Sequence, residues 1–293
     1  MGAPELHAHL ATGLTTVARC WAITRRDGVR FGFTDHDRTL SFAGLAFRAD
    51  TGLSAAALQQ ATGLSVDNTE ATGALSDVAI SEADIEAGRY DGAGVESWLV
   101  NWADVAQRRL MFRGTIGEIR RSGGAFHAEL RGLTEALNRP VGRAFQKPCS
   151  AVLGDAICRM DLSEPGYFHE GAILTVEANR SFGFGALGGF DQGWFQRGRL
   201  TVLSGVAAGL SGTIKRDRLW TGGRGIDLWV PLRAPVAAGD MVRITAGCDK
   251  RFDTCRLKFN NILNFQGFPD IPEEDWIMVH PTLAKTRSGG SRR

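Results

Sequence analysis

Five cysteines stand in this chain of 293 residues, and four of them form two pairs: Cys149 and Cys158 in a C-x8-C spacing, Cys248 and Cys255 in a C-x6-C spacing. Thiolates are soft anionic ligands, so four together would hold a zinc ion or a cubane iron–sulfur cluster; oxidised, they would form two disulfides. The start, Met-Gly-Ala-Pro-Glu, lacks the basic and apolar regions of a signal peptide. That predicts a chain made in the reducing cytosol, where disulfides rarely persist, and makes them the weakest reading. Structural zinc usually takes a knuckle of roughly two to four intervening residues. Gaps of eight and six are looser and lean mildly towards a cluster. The reading without chemistry is four unrelated buried thiols. Against it, Cys248-Asp-Lys-Arg-Phe-Asp-Thr-Cys255 is polar and basic, unlike a core. Lys250, Arg251 and Arg256 could balance an anionic group there, and backbone amides could hydrogen-bond its sulfurs. Cys20, between Arg19 and Trp21, reads as a buried small hydrophobe.

Other candidates carry less. Asp35-His36-Asp37, with Arg38 beside them, could do acid–base or metal chemistry, but the same residues cap an ordinary turn, and no nucleophile lies in an elbow context. His7 and His9 do not face each other on a helix, which leaves them as surface residues. The glycine-rich run Phe182 to Phe190 suggests a phosphate loop; without a following Lys-Ser/Thr and helix it reads as a flexible loop. Phe182, Phe184, Phe190, Trp194, Phe195, Trp220 and Trp229 could stack bases. With no basic groove beside them they read as sheet core and loop anchors, and no sequence-specific nucleic-acid binding is expected.

Positioning the cysteines falls to a β-rich chain. A composition of 43% hydrophobic and 23% charged residues excludes disorder, and 37 glycines against 9 prolines point to tight turns between strands. No apolar run is long enough to span a membrane. Strand patterns are expected at 16–25 and 29–35 around the turn Arg26-Asp27-Gly28, then at 40–47, 95–105, 110–120 and 126–130. Helical segments are expected at 4–15, 54–62, 80–87 (capped by Ser81) and 132–138. Pro140 makes 138–148 the boundary. Beyond it, short strands at 172–178, 199–202, 212–215, 226–231 and 241–245 predict a second small β domain. The reading is therefore residues 1–140, 141–280 and a mobile basic tail, 281–293. The cysteine pairs bracket the second domain, and clamping about a hundred residues of chain would be worth about 4–5 kcal/mol by the loop-closure model. Residues 1–140 carry 14 basic and 17 acidic side chains and residues 141–293 carry 20 and 15, a contrast that hints at different neighbours for the two halves.

From Gly239 to Pro272 the chain reads GDMVRITAGCDKRFDTCRLKFNNILNFQGFPDIP, and there it strongly resembles the tail hub proteins of gene transfer agents and related long-tailed phages. Supporting segments are Gly32–Arg38, Ile80–Tyr90 and Phe195–Gly205, so the likeness covers nearly the whole chain. The minor tail protein L of lambda-like phages is more distantly similar. The resemblance implies a mainly β fold with a few short helices and two small β-barrel-like domains, the second clamped at its neck by the four cysteines. It implies a non-enzymatic baseplate protein at the tail tip of a phage-like particle, assembled in the bacterial cytoplasm. There it would be a homotrimer adapting the six-fold tail tube to a three-fold tip. The partners it implies are the distal tail protein, the central tail fibre or spike protein, and further the tape-measure protein and a tail-associated peptidase. It also implies an iron–sulfur cluster, [4Fe-4S] in type, on Cys149, Cys158, Cys248 and Cys255, with zinc the runner-up. A cluster of that kind could serve assembly, and its oxidation offers a route to DNA delivery that no residue demands. Two other classes stay open: a soluble zinc metalloprotein or hydrolase using Asp35, His36 and Asp37, and a carbohydrate-binding adhesion module in the second domain.

Overall fold

The computed structural model describes residues 3–13, 15–49, 54–55, 68–74, 81–122, 125–132, 142 and 144–271. The expected helix over 132–138 (beyond Gly132), most of that over 54–62 and the tail 281–293 lie outside them. The chain divides into two compact units, Met1–Pro140 and Val141–Arg293.

In the first unit, α1 (Ala3–Ala11) precedes β1 (Val17–Thr24), β2 (Arg30–Thr34), β3 (Leu40–Phe42), β4 (Leu45–Arg48), β5 (Ser54–Ala55), β6 (Asn68–Ala74), α2 (Glu82–Glu86), β7 (Gly94–Asn101), β8 (Arg108–Ser122) and β9 (Ala125–Gly132). The strands form one sheet in the order β3-β4-β2-β1-β7-β8-β9-β6-β5. Central β1 is apolar on both faces because both are covered. Trp21 and Ile23 pack with Phe33, Tyr90, Val95 and Phe112, while Cys20 and Ala22 pack with Leu40, Phe42, Phe47 and Val100. The expected single strand over 40–47 is two strands, because Ala43 and Gly44 adopt positive φ and turn the chain back on itself. Ser81 caps α2, its hydroxyl accepting from the Asp84 amide at 3.1 Å.

The second unit holds β10 (Phe168–Ala172), β11 (Thr175–Glu177), β12 (Ser181–Gly185), β13 (Arg199–Val202), β14 (Ser211–Trp220), β15 (Gly223–Leu228) and β16 (Met241–Thr245), then α3 (Phe252–Leu257) and a 3-10 turn, Ile262–Asn264. The sheet order is β10-β16-β13-β14-β15-β12-β11. Its two outer strands are successive in the chain. Ile173 pairs back to Asp240 beside β16, and Leu174 donates to Gly183 of β12 at 2.8 Å, so the sheet's ends meet in one bent run. The run expected as one strand over 172–178 bends there. A second corner lies in β14, whose start pairs with β13 and whose remainder pairs with β15 beyond a register shift between Ile214 and Arg216. Leu200, Ile214, Ile226, Leu228, Val242 and Ile244 are fully buried inside this fold.

The glycine-rich run is a correction. Its first half is strand β12, where Phe182 and Phe184 are buried, and its end is pinned by Arg224. That guanidinium, 0% exposed, donates to both carboxylate oxygens of equally buried Asp217 at 2.6 Å and to the carbonyls of Phe190 and Asp191. Asp217 in turn accepts from the Phe195 amide at 2.8 Å. No charge in this pair is left without compensation. Of the aromatics expected as core or anchors, Phe195 is buried, whereas Trp220 and Trp229 are more than half exposed.

Candidate functional site

Two stretches of largely irregular chain meet beside the rolled sheet: 144–159, which leads into it, and 246–268, which leaves it at the end of β16. Both depend on close backbone approach. A Cβ at Gly247 would lie 1.8 Å from the Gln196 carbonyl oxygen, and one at Gly267 would lie 2.4 Å from that of Lys147, so side chains are excluded where the two stretches turn. They are zipped by hydrogen bonds: Phe268 N–H donates to Gln146 at 2.9 Å, and the Ser150 hydroxyl to Gln266 at 3.2 Å.

Cys149, Cys158, Cys248 and Cys255 all line one pocket here, with Ala151, Leu153, Phe259 and Phe265 among their neighbours. The C-x8-C loop is shaped by Asp155, whose carboxylate accepts from the amides of Cys158 (2.6 Å), Val152 (2.9 Å) and Ile157 (3.0 Å). Those bonds hold the carboxyl below its ordinary range. In the C-x6-C segment Cys248 ends the extended exit from β16 and Cys255 sits on α3. Cys149 accepts from the Gln266 amide and Cys248 from the Lys250 amide, each at 3.4 Å. Cys255 donates its thiol proton to the Asn261 carbonyl at 3.2 Å. Burial pushes the Cys255 thiol up to about 11, and the proximity of Cys149, Cys248 and Cys158 adds to the rise. Burial also raises Cys248, opposed by Lys250.

Lys250 and Arg251 line the pocket as expected from the sequence, and Lys258 is a further cation built in beside it. Its ammonium donates to the carbonyls of Trp194 (2.5 Å) and Gly247 (2.8 Å) and lies 4.4 Å from the Trp194 ring centre. Burial brings it down to about 8. Lys258, Asn261, Gln266 and Asp155 are absent from the sequence reading because ordinary polar residues carry no mark of their role until the fold brings them to the sulfurs. Gly247, next to Cys248, was the available signal. Among the described residues no three His, Cys, Asp or Glu side chains are placed to hold one metal ion.

The remaining candidates take structural roles. Asp35 accepts from the Arg19 amide at 2.7 Å, His36 Nδ1 accepts from the Arg38 amide at 2.9 Å, and the His36 ring lies on Trp102. This is a self-satisfied turn. His9 is hydrogen-bonded to Thr16 at 3.0 Å and His7 to Arg109, so both tether α1. Cys20 is fully buried against Thr34 in the first unit, whereas the other four cysteines belong to the second.

Fold and site describe a mainly β scaffold of two units with a single thiol-rich site in the second. Comparison gives that class a family. Residues 3–161 match the family model described as baseplate hub protein, N-terminal attachment domain, and residues 193–275 match that of phage conserved hypothetical protein BR0599. The first match contains Cys149 and Cys158, the second Cys248 and Cys255. A solved chain from the virion of a native gene transfer agent particle is 55% identical, with a TM-score of 0.89, covering 98% of this chain and 99% of that one. Among curated proteins none matches. The chain belongs to the baseplate hub protein family.

Proposed function

We propose that this protein is the structural tail-tip hub of a phage-like particle, a homotrimeric, non-enzymatic adaptor between the six-fold end of the tail tube and a three-fold central fibre or spike. Its neighbours are the distal tail protein above and the fibre below, with the tape-measure protein and a tail-associated peptidase nearby. The observation that carries this reading is the near full-length likeness to a chain of the gene transfer agent virion. The hydrogen bonds within the Asp35-His36-Asp37 turn favour a structural role for it over acid–base work.

We further propose that Cys149, Cys158, Cys248 and Cys255 hold an iron–sulfur cluster of the [4Fe-4S] type. The donor set fits: four thiols from two segments line one pocket, with backbone N–H groups directed at two of the sulfurs. The loose C-x8-C and C-x6-C spacings favour a cluster over a zinc knuckle. Bound there, the cluster supplies a covalent cross-link between the chain entering the sheet and the chain leaving it. Its role is to close the neck of the second unit.

Iron, zinc and acid-labile sulfide on anaerobically purified protein test this, with the ultraviolet–visible spectrum and the molar mass in solution. About four irons and four sulfides per chain, lost in Cys149→Ser, are expected for a four-thiolate cluster, along with a three-chain species. Zinc alone, or four free thiols, would overturn the cluster; a monomer that never assembles would overturn the adaptor.

A further inference from the structure

The two cysteine pairs of the sequence are not the pairs that the folded chain ties together. Lys250 couples Cys149 to Cys248: its carbonyl accepts from the Cys149 amide at 2.9 Å, its own amide donates to the Cys248 sulfur at 3.4 Å, and its ammonium donates to the Ala151 carbonyl. Asn261 couples Cys158 to Cys255. Its side-chain amide donates to the Cys158 carbonyl at 2.7 Å and lies 3.6 Å from the Cys158 sulfur, while its backbone donates to the Cys255 carbonyl at 3.0 Å. Asn264 fixes which end of that amide faces Cys158, because its Nδ2 donates to Asn261 Oδ1 at 2.7 Å. Lys250 holds a positive φ of 70°, a conformation costly for a residue with a Cβ and kept here by three bonds.

We propose that Lys250 and Asn261 are the positioning residues of the four-thiol site, each tying one cysteine of the first pair to one of the second and directing an N–H group at a sulfur. The assignment rests on the iron–sulfur reading. An N–H group pointed at a ligand sulfur stabilises the more reduced, more negative state of a cluster, so its loss lowers the reduction potential. A residue that only packs would leave the potential unchanged. Asn261 allows the cleaner test, since its contribution to Cys158 is made by the side chain alone.

The experiment is the reduction potential and iron content of the full-length, anaerobically purified protein as wild type, Asn261→Asp, Asn264→Ala and Leu263→Ala. Asn261→Asp replaces the donor with an acceptor of the same shape. It is expected to favour the oxidised form at least tenfold, a shift of about 59 mV to more negative potential for a one-electron couple. Asn264→Ala frees the amide to rotate and should shift it less, in the same direction. Leu263, almost wholly exposed at 94%, should leave it unmoved. If Asn261→Asp fails to fold, the Asn264→Ala shift still decides. Unchanged potentials in an iron-loaded protein overturn the role of Asn261 while leaving the cluster intact. A wild type without iron and sulfide overturns the cluster and this assignment with it.

Discussion

Two neighbouring regions of the second unit are held by different physics. The rolled sheet is closed by ladder hydrogen bonds around an apolar interior and a buried Arg224–Asp217 pair. The cysteine neck has only α3 and one 3-10 turn as regular structure, and it leaves Val152, Ile157, Leu257 and Leu263 facing solvent. Apolar burial stabilises the first region; the second relies on side-chain hydrogen bonds and a few ring contacts, such as Phe145 on Phe268 and Phe252 on Phe265. The contrast shows where the proposed cross-link would act: not within the sheet, but where chain enters and leaves it.

The largest expected effect lies in the sheet. Arg224→Met leaves the buried Asp217 carboxyl without its cation, held by the Phe195 amide alone, and frees the carbonyls of Phe190 and Asp191, so the second unit should lose about 3–5 kcal/mol in denaturant unfolding. A loss under half that would mean the sheet tolerates the open pair and the contrast is weaker than drawn.

Next in size is removal of the proposed cluster by oxidation and chelation. Hydrogen exchange should accelerate about a hundredfold, or ~3 kcal/mol, in 145–158 and 247–268. The strands between 199 and 245 should keep their protection. Uniform acceleration across both regions would show that neck and sheet unfold as one.

The smallest effect separates the thiols by pH. Burial raises Cys20 in the first unit, and Cys255 in the second, from 9.0 to about 11. A thiol whose folded pKa is raised contributes stability that is complete below the unfolded value and lost as pH climbs from about 9 to about 11. At pH 10 each should have lost about 1.4 kcal/mol. In metal-free protein the first unit should show the loss and Cys20→Ala should abolish it, whereas in the second unit the loss is opposed by Lys258, whose lowering to about 8 makes stability rise between about 8 and 10.5. With the proposed cluster bound, Cys255 would be a thiolate ligand and take no part in the loss, so only the first unit should lose stability as pH climbs, while Lys258 acts in the opposite direction in the second. A pH-dependent loss in the second unit of loaded protein would argue against Cys255 as a ligand.

Residue types and spacing alone were enough to show the β-rich composition, the hairpin turn at Gly28, the Ser81 cap, the strands 199–202 and 241–245, and the four cysteines apart from Cys20. Those features are local: period-two patterning, turn chemistry and capping act over a few residues. What only the tertiary structure decided was non-local. β12 emerged from a glycine-rich run because β11 and β15 pair with it on both sides. The bends in the run around Ile173 and in β14 exist because the sheet returns to its own edge. Asn261 and Lys250 gained their places because about a hundred residues of chain fold back to bring 149–158 against 248–261. Sequence determined which groups can bind or cap; long-range pairing, whose partners no local window contains, decided which of them meet.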